Sequence, residues 1–241
     1  MLSNKPVRQL AATAVAVAAL AVSLAACDSN EQSGKSQEAS APTTLCGANL
    51  TTGTREALLD VLGSRTYDWE WQNLTRLGDI AEPDPKNLGE AAEQLVSGYH
   101  ENGADDSATA ADYDLCWVNA PKADRGVKLS FHLRETVPIS ADLSPKFTQY
   151  KMGELAFSRP LTASLIMKCS NSKFGSTGKP VLIEGELTNP LAVESKDETL
   201  RAKNLNVLHA VSLAMAKELG CKDDAGLPAK FSVPQEATPA T

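Results

Sequence analysis

Five cysteines punctuate this chain, at positions 27, 46, 116, 169 and 221. What they bond to limits the fold more than any other feature, since each crosslink would tie together distant segments. The compartment decides between thiols and disulfides, and the N-terminus names the compartment. Lys5 and Arg8 give a short positive region, Leu10 to Leu24 is almost all Ala, Val and Leu, and small residues then lead into Cys27. A secretory signal has that layout. A retained membrane span is the competing reading, because a span needs about 17–25 apolar residues. Against it, the stretch is rich in Ala rather than Leu, and no positive stop-transfer cluster follows Cys27.

Leu24-Ala25-Ala26-Cys27 resembles the lipobox of bacterial lipoproteins. The resemblance implies that residues 1–26 are removed and that Cys27 carries a diacylglycerol, the one membrane contact expected. Two acyl chains anchor stably where one gives only marginal binding. Cys27 then leaves the pairing count. Cys46, Cys116, Cys169 and Cys221 remain, an even number that an exported domain joins as two disulfides with three connectivities. A zinc site is disfavoured, because the chain has no C-x-x-C pair and three His.

Residues 27–44 hold Cys27 and a polar run without large apolar side chains, a flexible tether with a reach of about 20–25 Å. The globular part spans 45–231, one α+β domain, and the Pro/Ala/Thr-rich end, 232–241, forms a flexible tail. Without residues 1–26 the chain has 21 basic residues against 30 acidic ones, a net charge of −9. No Lys/Arg cluster offsets that balance, so nucleic acid is excluded as a partner.

Thr54 is placed to N-cap a helix over 55–62, with Gly63 after it. Tyr67-Asp68-Trp69-Glu70-Trp71 alternates with the period of a half-buried strand. Leu88, Ala91, Ala92, Leu95, Val96 and Tyr99 recur at helical spacing, and a polar loop is expected over 100–111. Strands are predicted over 112–119, 127–135, 148–158, 163–169 and 180–188, followed by a long helix over 198–219. The expected architecture is an antiparallel sheet of about 4–6 strands, with the long C-terminal helix and the shorter N-terminal ones on one face. Cys169 ends a strand and Cys221 ends the helix that should cross the same sheet, so these two are expected to pair. Elimination then joins Cys46 to Cys116. Closing loops of this size adds about 3–4 kcal/mol through the unfolded state.

The ordered pattern of lipobox, polar linker, Cys46-Gly47, Cys116-Trp117-Val118, Cys169 and a terminal Ala-x-x-Leu-Gly-Cys221 resembles the uncharacterised surface lipoproteins common in high-GC Gram-positive bacteria. The resemblance implies a fold and a location. It carries over no catalytic residue, and no cofactor is implied.

Strings that look chemical fail on context. Ser170-Asn171-Ser172-Lys173 matches S-x-x-K, but it falls in a loop rich in Gly and Ser rather than at the head of a buried helix. Gly175-Ser176-Thr177-Gly178-Lys179 is too short between its glycines for a phosphate loop. His100, His132 and His209 have no G-x-S-x-G elbow to serve. The acidic positions Asp105-Asp106, Asp112/Asp114 and Asp223-Asp224 lack calcium-loop spacing and read as solvated charge. Tyr67, Trp69, Trp71 and Trp117 gather all three Trp of an aromatic-poor chain. Core packing is the ordinary use of such residues, and a candidate ligand or partner face is the alternative. The sequence thus implies an anchored, non-enzymatic domain facing an envelope partner. A small-molecule or glycan binder is the alternative, and a cell-wall hydrolase the reading with least support.

Overall fold

The computed structural model describes residues 42–63, 70–72, 87–104, 113–120, 125–138, 146–175, 179–189 and 199–233. Cys27, the signal segment, most of the tether, Tyr67, Trp69 and the last eight residues of the tail lie outside them. The described residues fall in one compact unit.

Alternation builds the central layer. In β5 (Arg125–Arg134), Val127, Leu129, Phe131 and Leu133 are buried on one side, while Lys128, Ser130, His132 and Arg134 occupy the other. β5 sits between β4 (Tyr113–Ala120) and β9 (Val181–Thr188) in an antiparallel sheet with seven strands among the described residues. Beyond β4 lies β3 (Glu70–Gln72). Beyond β9 come β8 (Thr162–Cys169), β7 (Leu155–Arg159) and β6 (Thr148–Tyr150). A register shift between Asp114 and Cys116 marks a bulge in β4.

The one strand expected over 148–158 is in fact a hairpin. Residues 151–154 turn between β6 and β7, with Gly153 at φ 59°. A Cβ there would run into the Ile166 carbonyl, so the turn requires glycine. A small two-stranded sheet, β1 (Thr44–Leu45) with β2 (Ala48–Asn49), precedes the main one.

Among the described residues, the helices α1 (Thr52–Leu62), α2 (Asn87–Asn102) and α3 (Thr199–Leu219) pack on one face of the sheet, with α1 and α2 each against α3. α1 starts earlier than its sequence predicts. Thr51, not Thr54, is the N-cap, its side chain accepting from the Thr54 backbone N–H at 3.2 Å. Thr54 sits buried in the first turn, where its hydroxyl donates to Asn206 Oδ1 of α3 at 3.0 Å. α3 is buried on most sides, from Leu200 through Leu219, as expected of a helix that touches the sheet and both other helices. It approaches the sheet over Gly185: a Cβ at that position would meet Phe131 at 2.8 Å and Ser212 Oγ at 2.9 Å.

Two disulfides fasten these layers. Cys46, in the β1–β2 turn, is joined to Cys116 in β4, and Cys169, at the end of β8, is joined to Cys221 just past α3. This is the connectivity expected from the element pattern. After Cys221 the backbone does something the sequence does not announce. Asp223, Asp224, Ala225 and Gly226 have φ of 52°, 51°, 57° and 76°, one turn of left-handed helix. L-residues pay about 1–2 kcal/mol each for that conformation, Asp less than Ala. Burial of Ala225 and Leu227 holds the turn in place, as does the bond from the Lys222 N–H to the Ser170 carbonyl at 3.1 Å.

Candidate functional site

Gly185 touches α3, so its neighbours Glu184 and Glu186 point to the opposite face of the sheet. The same alternation sends Ser130, His132, Arg134, Ser164 and Trp117 there. On this face the ladder sets His132 opposite Glu184 and Glu184 opposite Ile166. One row along, Ser130, Glu186 and Ser164 line up. A third row runs from Trp117 through Lys128 to Thr188.

Glu184 is the chemical centre of the face. It is a carboxylate only 4 % exposed, in a strand otherwise made of apolar, glycine and half-buried positions. The Arg134 guanidinium donates to Glu184 Oε2, and His132 Nε2 lies 3.5 Å from the same oxygen. Burial by itself raises the pKa of Glu184. Hydrogen bonds from His132 and Ser164, with the charges of Arg134 and His132, outweigh it and hold the carboxyl below its usual range. Glu184 is therefore a fixed anion at neutral pH. That makes it a poor proton acceptor for Ser164 and a good anchor for the two basic side chains above it, which remain partly open to water.

Of the aromatic candidates, Trp117 is on this face, half-buried, its indole lying over Gly126. The indole N–H is buried and finds no acceptor. Trp71 is described in its backbone alone, paired with Val118. Tyr67 and Trp69 lie outside the described residues, as do Asp105, Asp106, Asp112 and residues 105–111 of the loop expected over 100–111.

The remaining candidates have structural work. His100 is an exposed residue in the last turn of α2 rather than in a loop, because the helix continues to Asn102. His209 is 2 % exposed and donates from Nε2 to the Pro228 carbonyl at 2.9 Å, with Phe231 tilted against its ring. Burial pushes its pKa down, against the raising effect of that hydrogen bond. The S-x-x-K string caps α3: Asn171 Nδ2 donates to the Leu219 and Gly220 carbonyls, and Lys173 Nζ reaches the Glu218 carbonyl at 3.3 Å. Asp223 and Asp224 are in the left-handed turn. Among the described residues no three His, Cys, Asp or Glu are grouped closely enough to hold a metal ion, and no helix is long and apolar enough to cross a membrane.

Glu184 and Ser164 escaped the sequence reading. The signal for Glu184 was there, an acid in the middle of Val181-Leu182-Ile183-Glu184-Gly185, but its partners come from strands about 20 and 50 residues away in the chain. No protein-family model, curated protein or solved structure matches this chain.

Proposed function

We propose that this protein is a membrane-anchored, extracytoplasmic lipoprotein that works by binding, presenting a disulfide-stapled domain to an envelope partner. The observation that carries the proposal is the allocation of its cysteines. The four downstream cysteines pair with one another, which leaves Cys27, at the end of the apolar segment, as the odd one. Pairing of this kind belongs to oxidising compartments, and a lone cysteine after Leu24-Ala25-Ala26 is where a diacylglycerol would be attached. Mass spectrometry of the mature protein from a lipoprotein-processing host tests the anchor. The expected product lacks residues 1–26 and carries a lipid mass on Cys27. A full-length, unmodified chain refutes it. In-cell crosslinking tests the partner, with one dominant crosslinked protein expected.

A second reading, a glycan or small-molecule binder, is favoured by one feature: Trp117, half-buried beside the polar rows around Glu184. Aromatic rings with flanking charged groups suit sugar faces and polar ligands. A melting-point rise with any glycan or metabolite, abolished in Trp117→Ala, would favour this reading over the protein partner.

A further inference from the structure

The C-terminal segment after α3 combines three features that no other described segment shares. It contains the left-handed turn Asp223–Gly226, in a conformation that L-residues avoid. A disulfide fastens it immediately before that turn, through Cys221 to Cys169. Beyond the turn it becomes a strap, residues 227–233, forming one wall of a groove of about 740 Å³ whose other wall is the β6–β7 connection. Tyr150, Met152 and Leu155 line one side, Pro228 and Val233 the other, and Val233 is 72 % exposed.

We propose that Cys169–Cys221 is a redox latch: closed, it holds the left-handed turn and the strap against the groove, and reduced, it lets both relax. Local backbone strain persists only where its surroundings over-determine it. Here the surroundings are β8 and α3, on which the turn packs. Besides the disulfide they supply the Lys222–Ser170 bond, the burial of Ala225 and Leu227, the His209–Pro228 clasp and the contact of Phe231 with His209. The covalent link is the strongest of these, and it is the one a chemical signal can remove.

The opening step is thiol–disulfide exchange with a dithiol reductant. Its thiolate attacks Cys221 Sγ, on the more exposed of the two cysteines at 7 % against 0 % for Cys169. A mixed disulfide forms, and the Cys169 thiolate leaves and takes up a proton. The reductant's second thiol gives up its proton and attacks the mixed disulfide, and the Cys221 thiolate is released and protonated. Two protein thiols are produced, and the dithiol leaves as its own disulfide.

Hydrogen exchange on the full chain tests the latch, comparing the oxidised protein with Cys169→Ser/Cys221→Ser, which keeps Cys46–Cys116 intact. Amides of residues 222–231 should exchange at least about tenfold faster in the variant, through an opening whose free energy stays below that of the strands and of residues 200–216 of α3, which lose only what the crosslink contributes to global unfolding. Adding Ala225→Gly, which removes the least tolerant left-handed residue, should recover part of that protection. Unchanged protection over 222–231 overturns the proposal. So does exchange of 222–231 at the same free energy as the sheet, since the segment would then open only with the whole domain and the bond would be a global staple rather than a local latch.

Discussion

The contact between α3 and the sheet makes a prediction with a sign that ordinary strand preferences would reverse. Alanine normally improves on glycine inside a strand by about 0.5–1 kcal/mol. At Gly185 the added methyl would stand 2.8 Å from Phe131 and 2.9 Å from Ser212 Oγ, with Leu208 at 3.3 Å. Forcing an extra methyl into a packed core costs about 1–3 kcal/mol, so Gly185→Ala should destabilise by a net of about 1–2 kcal/mol. In a domain of this size that lowers the melting point by about 2–8 °C, at about 2–4 °C per kcal/mol. Ser212 supplies the internal control. Its hydroxyl is fully buried and has no hydrogen-bond partner, so Ser212→Ala should itself stabilise the fold by about 1 kcal/mol. It also removes one of the two closest contacts with the new methyl. The double variant should therefore be more stable than the sum of the single effects, by about 0.5 kcal/mol or more. Urea denaturation of the four oxidised proteins measures every term. If Gly185→Ala matches or exceeds the parent in stability, α3 does not rest on β9 as described.

Three further outcomes are expected. Glu184→Ala should cost about 1.5–3 kcal/mol at neutral pH by stripping the charged hydrogen bonds from His132, Ser164 and Arg134. Because the folded pKa of Glu184 lies below the unfolded one, its contribution is complete above the unfolded value and disappears as pH falls through the folded value. Stability curves of parent and variant should converge in acid, and parallel curves would refute the assignment. His209 has its folded pKa depressed as well. Between the ordinary histidine value of 6.5 and the lower folded value, the unfolded chain takes up a proton that the folded one refuses. The parent should lose stability over that window as pH falls, and His209→Gln should lose less, as measured by denaturation at a series of pH values. Finally, Cys46→Ser/Cys116→Ser should lose about 3–4 kcal/mol, read as a shift of the urea midpoint.

Local patterns carried the elements well and the long-range partners poorly. The alternation in Val127–Arg134 and the turn-bounded runs after it were enough to call for an antiparallel sheet under three helices. The cysteine pairing followed once Cys169 and Cys221 were placed at the ends of neighbouring elements. Where the sequence misled, the deciding contact was distant or the decisive angle had no residue signature. Thr51 and Thr54 are equally good caps on paper, and Thr54 is drawn inward by Asn206 of α3. The break at residues 151–154 depends on how Gly153 meets the Ile166 carbonyl of β8, the strand beside β7. Lys222-Asp223-Asp224-Ala225-Gly226 reads as a solvated loop, and only its anchors on either side turn it left-handed. The Glu184 cluster draws on three strands, so no window of sequence contains it.

The Cys46–Cys116 bond has a mechanical consequence. A pull arriving along the chain from residue 42 reaches Cys46 after the two-residue strand β1 and passes through two sulfur atoms into β4, a strand held on both sides by neighbours. The intervening polypeptide, a sequence separation of 70 that includes α1 and α2, bears none of that tension. If the domain hangs from a lipid, membrane motion loads a strand paired on both sides rather than peeling a helix from its end. α1 and α2 lie outside that load path.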